Sequence, residues 1–351
     1  MSINVKLLAD ICEIAGAPGF EYRIRNLVKE QLKDVADEMY TDNMGNLICV
    51  KKGKSSEKRV MTAGHMDEIG FIVTHIDDDG FVRFHVLGGF DPKTLTAQRV
   101  IVHGTKDVIG VMGSKPIHVM SAEERTKMPK TTDFFIDMGM PKAEVEKYIS
   151  VGDSITRQRD LIEMGNCVNC KSIDNRVAVF IQVEAMKELK NVEIPYDFYC
   201  VFTVQEEVGI RGAVVAAHHI NPDFGIALDT TIAFDVPGAP KHEQITRLGD
   251  GTAIKLMDSA SICDYRMVAF MKDVAKRHNI KHQFEILTAG GTDTAGMQRM
   301  ATNGVIAGAI SIPTRHIHQS IEMADKTDIR LSIDLFKACI EDLDKHDWSH
   351  K

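Results

Sequence analysis

The segment at residues 201–209 (VFTVQEEVG) constrains the fold of this chain more than any other stretch. A short apolar run ends there in two adjacent carboxylates, Glu206 and Glu207. This pattern is typical of a buried strand that delivers acidic side chains to the edge of a sheet. Because neighbouring carboxylates repel each other and lose hydration on burial, the fold needs a compensating cation at that edge. A metal ion is the simplest such cation, so other strand ends should carry further metal-type residues.

Metal-type residues do occur at several such positions. The candidates that follow predicted strands or open a predicted helix are His65 and Asp67, Asp174, Glu206 and Glu207, Asp229, and His316 and His318. In an open α/β sheet, ligands bind outside the carboxyl ends of the strands, so residues far apart in sequence can meet there. Each candidate has a simpler interpretation when taken alone; Asp174, for example, could simply cap its helix. The joint pattern of imidazoles and carboxylates favours a metal centre.

The donor set matches the requirements of two neighbouring divalent ions. Such a pair needs one bridging carboxylate, and then one imidazole and one carboxylate for each ion. The residues that supply this count are His65, Asp174, Glu207, Asp229 and His318. Three carboxylates against two divalent ions leave a net charge of about +1, which is enough to acidify a bridging water. Glu206 then remains as a general base, provided that the backbone bends, because successive strand residues point to opposite faces.

Helical and strand patterns alternate over residues 1–68 and again over residues 165–351, which is typical of an α/β fold. Two amphipathic helices are expected near the start of the chain, at residues 4–15 and 21–39. Residues 69–164 instead carry short β-like runs. We therefore predict a discontinuous catalytic α/β domain, residues 1–68 and 165–351, with an inserted β-rich domain at residues 69–164.

Composition narrows the class of partner and the compartment. The formal net charge of -8 disfavours nucleic acid and anionic membranes as partners. Because no apolar run reaches about 18 residues, we expect no transmembrane helix. Acidic residues at Asp10 and Glu13 argue against a signal peptide and favour the cytoplasm. The seven cysteines, including the Cys-x-x-Cys pair Cys167 and Cys170, are expected to be reduced structural thiols.

Several segments resemble those of the dinuclear aminopeptidases of the TET type, which include the glutamyl and deblocking aminopeptidases. The matching segments are residues 64–70 (GHMDEIG), 173–176 (IDNR), 204–209 (VQEEVG) with 211–213 (RGA), 227–229 (ALD) and 315–318 (RHIH). Residues 88–92 (GGFDP), 249–252 (GDGT) and 290–293 (GGTD) match as well. The segments cover nearly the whole chain in order, which makes the set far more specific than any single motif.

The resemblance implies a fold, a set of residue roles and an assembly. The fold is the co-catalytic zinc-peptidase fold, a mixed central sheet flanked by helices, with an inserted β-barrel-like dimerisation domain. The implied ligands are His65, Asp229 and bridging Asp174 for one ion, and Asp174, Glu207 and His318 for the other. Glu206 would be the general base, and Asp67 would orient His65. Dimers would assemble into a hollow tetrahedral dodecamer that admits peptides to its interior.

The implied activity is that of a metal-dependent aminopeptidase, which releases N-terminal residues from peptides. A hydroxide that bridges two divalent ions, zinc or alternatively cobalt or manganese, would attack the scissile carbonyl after Glu206 takes the proton. A deacylase or dipeptidase with the same metal pair remains an alternative. A glycosidase is disfavoured, because its two acids must flank a bond at a separation that adjacent residues alone do not provide.

Some positions stay open at the level of sequence. Many relatives carry Tyr where this chain has His316, so His316 competes with His318 as a ligand, and the family pattern favours His318. Family position would place Thr292 and Asp293 near the substrate pocket. Alternatively, they belong to a tight Gly-rich turn whose Asp293 caps the following helix. The preferred N-terminal residue is undetermined. The candidate cations for a pocket that takes acidic residues are Arg211, Lys255 and Arg315.

Overall fold

The computed structural model describes residues 2–351. The strands are β1 (Glu38–Thr41), β2 (Leu47–Lys51), β3 (Ser55–His65), β4 (Gly70–Ile76), β5 (Val82–Leu87), β6 (Arg99–His103), β7 (Asp107–Gly113), β8 (Phe135–Asp137), β9 (Ser154–Arg157), β10 (Ile162–Met164), β11 (Cys167–Cys170), β12 (Tyr196–Thr203), β13 (Phe224–Ile232), β14 (Thr252–Met257), β15 (His282–Ile286), β16 (Ile306–Arg315) and β17 (Glu322–Asp325). The α-helices are α1 (Val5–Glu13), α2 (Tyr22–Leu32), α3 (Lys142–Val145), α4 (Ile173–Leu189), α5 (Arg211–Ile220), α6 (Tyr265–Arg277), α7 (Asp293–Met300) and α8 (Lys326–Asp342).

Four parallel strands form the centre of an 11-stranded sheet. β12, β3, β13 and β16 lie side by side in this order and run in the same direction. β2 joins β12 in the antiparallel direction, and β14 and β17 join β16 likewise, so the sheet is mixed. The carboxyl ends of the central strands therefore meet at one edge, where α/β proteins bind their ligands.

Helices cover both faces of the central strands. Along β13, Ile226 and Leu228 pack in the core that α1, α2, α4, α6 and α8 share, whereas Ala227 packs in a second core with α5 and α7. This alternation follows the two-residue period of a strand. Because each face is buried, the central strands are continuous apolar runs in the sequence, as parallel strands usually are.

The remaining six strands close into a barrel with the order β4-β5-β8-β7-β6-β9. Phe71, Val102, Ile136 and Ile155 are among the side chains that fill its interior. The barrel lies within the predicted insert at residues 69–164. β10, near the end of that insert, pairs with β11 of the large sheet instead. The predicted division of the chain at residues 68/69 and 164/165 stays a prediction.

The predicted fold class is confirmed, because a mixed central sheet flanked by helices carries a separate closed barrel. The prediction of one helix over residues 21–39 is wrong. α2 ends at Leu32, and the chain pairs as a strand with β2 from Glu38 onward, because sheet pairing overrides local helix propensity. Among the helices of residues 2–351, none combines the length and the apolar character needed to cross a bilayer.

A buried ion cluster fixes the end of β3 against the start of α4. Both carboxylate oxygens of Glu68 accept hydrogen bonds from Lys171 at 2.7 Å, and Arg176 lies 3.6 Å away. Arg176 also donates to the backbone oxygens of Ile11 and Ile14 at the end of α1. All three charged side chains are buried. The cluster therefore holds together the two segments that carry His65 and Asp174.

Candidate metal centre

Several predicted site residues lie side by side at the carboxyl ends of neighbouring parallel strands. Thr203 of β12 lies opposite His65, the last residue of β3. β13 runs parallel to β3, and Asp229 follows two residues after their last paired position, Ala227 and Ala63. The carboxyl ends of three parallel strands thus converge on one edge of the sheet. His65 and Asp229 are both buried there.

The backbone after Val204 makes the bend that the sequence requires. Gln205 adopts a left-handed conformation with φ 55, and its N–H donates to Oε1 of Glu21 at 3.1 Å. The N–H groups of Glu206 and Glu207 then both donate to the carboxylate of Asp67, each at 3.1 Å. Two adjacent carboxylates consequently reach the same site although they follow one strand.

Asp67 serves two neighbours in different ways. Its backbone oxygen lies 3.0 Å from Nδ1 of His65, which leaves Nε2 of His65 directed into the site. Its carboxylate holds the turn at Glu206 and Glu207 and lies 3.5 Å from the same Nδ1. A fixed imidazole orientation of this kind is typical of histidines that bind metals. The predicted orienting role of Asp67 stays a prediction for the loaded site.

Asp174 enters the site through an irregular start of α4. Asp174 and Asn175 have non-helical backbone angles, and Asn175 donates through Nδ2 to the backbone oxygen of Leu228 at 2.9 Å. The N–H of Asp174 donates to Glu322 at 2.9 Å. These bonds take the place of helical ones, so Asp174 does not simply cap the helix. Its carboxylate points toward the ends of the strands, between two histidines.

The structure brings the predicted donors together in two groups of three. The first group comprises His65, Asp174 and Asp229, and the second comprises Asp174, Glu207 and His318, with the donor atoms of each group within 4.8 Å of one another. Oδ1 of Asp174 lies 3.4 Å from Nε2 of His65, and Oδ2 lies 3.5 Å from Nε2 of His318. One carboxylate thus faces both groups, one oxygen to each. His316, the competing histidine, is exposed and belongs to neither group.

The spacing of the donor atoms fits divalent ions. Two ligands that each lie about 2.1 Å from a tetrahedral ion are separated by about 3.4 Å. The distances from Nε2 of His318 to Glu207 and from Nε2 of His65 to Asp229 are 3.3 Å and 3.8 Å. Oε1 of Glu207 is buried without a hydrogen-bond partner among the described residues. The donor set and its geometry therefore suit a pair of cations.

Electrostatics also favour positive charge in this cluster. Although burial lowers the pKa of His318, the charge of Glu207 and a hydrogen bond with Asp174 raise it to about 11. Burial raises the pKa of Asp229 well above its usual range, and the charge of Asp174 adds to this effect. Both shifts favour added positive charge among these carboxylates. Divalent ions would supply that charge and displace the protons of the ligands that bind them.

Glu206 occupies a different position from the two groups. One of its carboxylate oxygens lies 3.8 Å from Nε2 of His65, and its side chain is largely buried. Burial raises the pKa of Glu206 well above its usual range, and the charge of His65 only partly offsets this. A carboxyl group with a raised pKa next to a metal-type cluster is a candidate for proton transfer.

A cavity of about 510 Å³ opens onto both groups. Besides the metal-type residues and Glu206, its lining includes Ile232, Lys255, Asp258, Leu287 and Thr292. Thr292 thus lines the cavity, and its predicted place near the substrate stays a prediction. Asp293 is buried at the start of α7 and accepts a hydrogen bond from Thr203. Of the three candidate cations, only Lys255 lines the cavity.

Three supporting residues were not predicted from the sequence. Glu322 accepts from the backbone N–H groups of Asp174 and His318, Glu21 accepts from Gln205, and Arg157 of the barrel donates to the backbone oxygen of His318. The sequence offers no periodic signal for these contacts, since each joins segments far apart in the chain.

Known proteins are similar in sequence to nearly the whole of this chain. The model of the M42 glutamyl aminopeptidase family matches residues 45–335. A putative aminopeptidase of Acetivibrio thermocellus is 40% identical over 335 residues, which are 95% of this chain and 97% of the relative. The lysyl aminopeptidase of Pyrococcus furiosus is 33% identical over 355 residues, which are 99% of each chain.

Solved structures agree with these relatives. The TET aminopeptidase of a marine-sediment Thaumarchaeota archaeon has a TM-score of 0.93 and 35% identity, and the match covers 97% of this chain and 96% of that one. The TET1 peptidase of Pyrococcus horikoshii, which can form a tetrahedron or a large octahedral shell, has a TM-score of 0.86 and 29% identity over 96% of this chain and 98% of that one.

These similarities define a peptide hydrolase of the metal-dependent aminopeptidase class. The chain belongs to the M42 glutamyl aminopeptidase family. The resemblance to the TET-type aminopeptidases, the predicted enzyme class and the predicted aminopeptidase activity are thereby confirmed.

Glu21 should make the stability of this region depend on pH. Burial raises the pKa of Glu21 from 4.5 to about 7. The protonated carboxyl group therefore adds to the free energy of unfolding in full below pH 4.5, and this addition is lost as the pH rises through 7. Gln at this position keeps the Oε1 acceptor that Gly19 and Gln205 use, and it cannot ionise. At 1.36 kcal/mol per pKa unit, the free energy of unfolding of Glu21→Gln should exceed that of the wild type by up to about 3 kcal/mol above pH 7.

Urea unfolding of the chelated protein at pH 5 and pH 8.5 measures this difference. Glu30→Gln, which removes an exposed carboxylate from the same region, is the matched control and should show almost no pH-dependent gain. A Glu21→Gln variant whose stability follows the wild type at both pH values contradicts the assignment.

Proposed function

We propose that this protein removes N-terminal residues from peptides with two divalent ions per subunit. His65, Asp174 and Asp229 would hold one ion, and Asp174, Glu207 and His318 would hold the other. The observation that carries the proposal is the carboxylate of Asp174, whose two oxygens face two separate histidines at 3.4 Å and 3.5 Å. Zinc suits these nitrogen and oxygen donors, and cobalt or manganese suits them as well.

Two such ions would supply Lewis acidity, which lowers the pKa of water and polarises the scissile carbonyl. Glu206 would accept a proton from the attacking water and pass it to the leaving amine. Its position supports this role, since it lies beside the donor groups and is not needed to complete either of them. Asp67 would keep Glu206 in place, because its carboxylate accepts a hydrogen bond from the backbone N–H of Glu206.

The electrostatics of the cavity suggest which N-terminal residues are accepted. Nζ of Lys255 is paired with Glu285 at 2.6 Å and lies 3.5 Å from Asp258, and all three side chains are buried. One cation against two carboxylates leaves a net negative charge. Neither Arg211 nor Arg315 lines the cavity, and Arg315 is paired with Asp235, so neither adds positive charge to the cavity. We propose that basic and apolar N-terminal residues are preferred over acidic ones, as the name of the lysyl relative would suggest.

The same family relationship supports a proposal about assembly. Tetrahedral shells are described for the Pyrococcus horikoshii relative, and we propose a dimer-based tetrahedral dodecamer for this chain. The barrel would serve as its dimerisation domain, and its strand β7 carries two apolar side chains, Ile109 and Val111, that are 61% and 46% exposed. A cytoplasmic location remains part of this proposal.

Glu206→Gln should abolish turnover and leave metal binding intact. Gln keeps the shape of the side chain but cannot take a proton, so kcat should fall by at least about 10²-fold. Hydrolysis of an aminoacyl chromogenic substrate and metal analysis of the same sample measure both properties. Glu163→Gln, a carboxylate exposed on the surface, serves as the control. Substantial activity in Glu206→Gln would show that another group is the base.

A substrate panel tests the proposed preference. We expect kcat/KM for a lysyl substrate to exceed that for a glutamyl substrate by at least about 10-fold, because 1.4 kcal/mol of charge repulsion suffices for this ratio. Glu285→Gln removes one of the two carboxylates beside Lys255 and should narrow the ratio. A glutamyl preference in the wild type contradicts the charge argument. Cleavage of N-acetylated substrates alone would instead favour a deacylase.

A further inference from the structure

The loop that carries His318 has an unusual backbone. His316 and His318 both lie in the left-handed region, with φ 61 and φ 64, and neither is glycine. Such conformations cost of order 1–3 kcal/mol each and persist only where the surroundings impose them. The loop follows β16 and leads directly into β17. Something outside the loop must therefore hold His318 in place.

Glu322, the first residue of β17, is one of the groups that hold the loop. Its Oε1 accepts the backbone N–H of His318 at 2.8 Å, and its Oε2 accepts the backbone N–H of Asp174 at 2.9 Å. The residue is 1% exposed. A single carboxylate thus links two of the three donors of the second group. β17 is itself anchored, because Glu322 pairs with Cys170 of β11.

Arg157, the last residue of the barrel strand β9, is the other group. Its Nη1 donates to the backbone oxygen of His318 at 3.2 Å, and the residue is 2% exposed. Its guanidinium lies 5.7 Å from the ring centroid of Phe90 in the barrel. Gly89 of the same barrel segment is close to the imidazole, since a Cβ there would lie 3.3 Å from Nδ1 of His318. The barrel therefore touches the backbone and the ring of one predicted ligand.

Glu322 and Arg157 together fix the backbone of His318 from both sides. Glu322 fixes the N–H of His318 and Arg157 fixes its C=O, so the peptide groups on both sides of His318 have defined orientations. Nε2 of His318 then lies 3.3 Å from Glu207 and 3.5 Å from Asp174. Polar groups that orient the ligands of a metal typically contribute 10–100-fold in metal affinity or activity.

We propose that Glu322 and Arg157 are positioning residues for the second metal ion, and that the inserted barrel completes the metal centre in addition to its proposed role in dimerisation. This inference rests on the proposed two-ion function. The two residues bind different ligands: of the predicted ligands, Arg157 donates a hydrogen bond to His318 alone, whereas Glu322 also accepts one from the shared ligand Asp174. Loss of Arg157 should therefore weaken the second ion alone, and loss of Glu322 should weaken both ions.

Calorimetric titration of the chelated full-length protein with Zn²⁺ measures the two affinities. Arg157→Met should weaken one of the two binding events, that of the ion held by His318, about 10–100-fold and leave the other unchanged. Glu322→Gln, which places an amide N–H₂ against one of two backbone N–H groups, should weaken both events. Arg157→Lys keeps a donor and a charge and should recover part of the loss. The visible spectrum of bound Co²⁺, which reports coordination geometry, should change in Arg157→Met for only one of the two bound ions.

The matched control is Arg330→Met, which removes a largely buried guanidinium that pairs with Glu188 and Asp334. It should lower stability without changing either affinity, which separates positioning from general destabilisation. If Glu322→Gln does not fold, the two Arg157 variants decide the matter. If Arg157→Met binds both Zn²⁺ ions with the affinities of the wild type, the positioning proposal is overturned and the proposed function stays intact. A wild-type protein that binds fewer than two ions would overturn the proposed function, and the positioning role with it.

Discussion

The organisation of this enzyme depends on the crowding of carboxylates at one edge of its sheet. Asp174, Glu206, Glu207 and Asp229 converge there in a largely buried site, with His65 and His318 between them. Buried acids at this density raise one another's pKa and require positive charge nearby. The family relationship to metal-dependent aminopeptidases and the spacing of the donor atoms together account for this crowding of acids, because metal ions held there would supply the missing positive charge.

Two buried carboxylates outside the donor groups hold these acids in place. Asp67 anchors the bend at Glu206 and Glu207 through two backbone N–H groups, and Glu322 anchors Asp174 and His318 in the same manner. In both cases a buried carboxylate accepts hydrogen bonds from the backbone of a segment that carries site residues. The irregular backbone and the metal-type side chains thus occur together, because side chains on regular elements alone would not reach a common point.

The sequence predicted the strands better than the connections between them. Apolar runs that end in His65, Glu206 or Asp229 were recognisable, because parallel strands buried on both faces are continuous in the sequence. The need for a bend after Val204 followed from strand geometry, but the left-handed Gln205 that makes it did not. Glu322 gave no signal either, because its role depends on backbone groups that approach it only in the folded chain. The helix predicted through residue 39 failed for a related reason, since the pairing of β1 with β2 is a tertiary contact.

The central claim is that Asp174 lies between two ions, and anomalous diffraction from crystals grown with Zn²⁺ tests it most directly. The account predicts two peaks per subunit on opposite sides of the Asp174 carboxylate. One peak should lie about 2.0–2.1 Å from Nε2 of His65 and the other at the same distance from Nε2 of His318. A single peak, or a second peak bound by His316 in place of His318, would contradict the account.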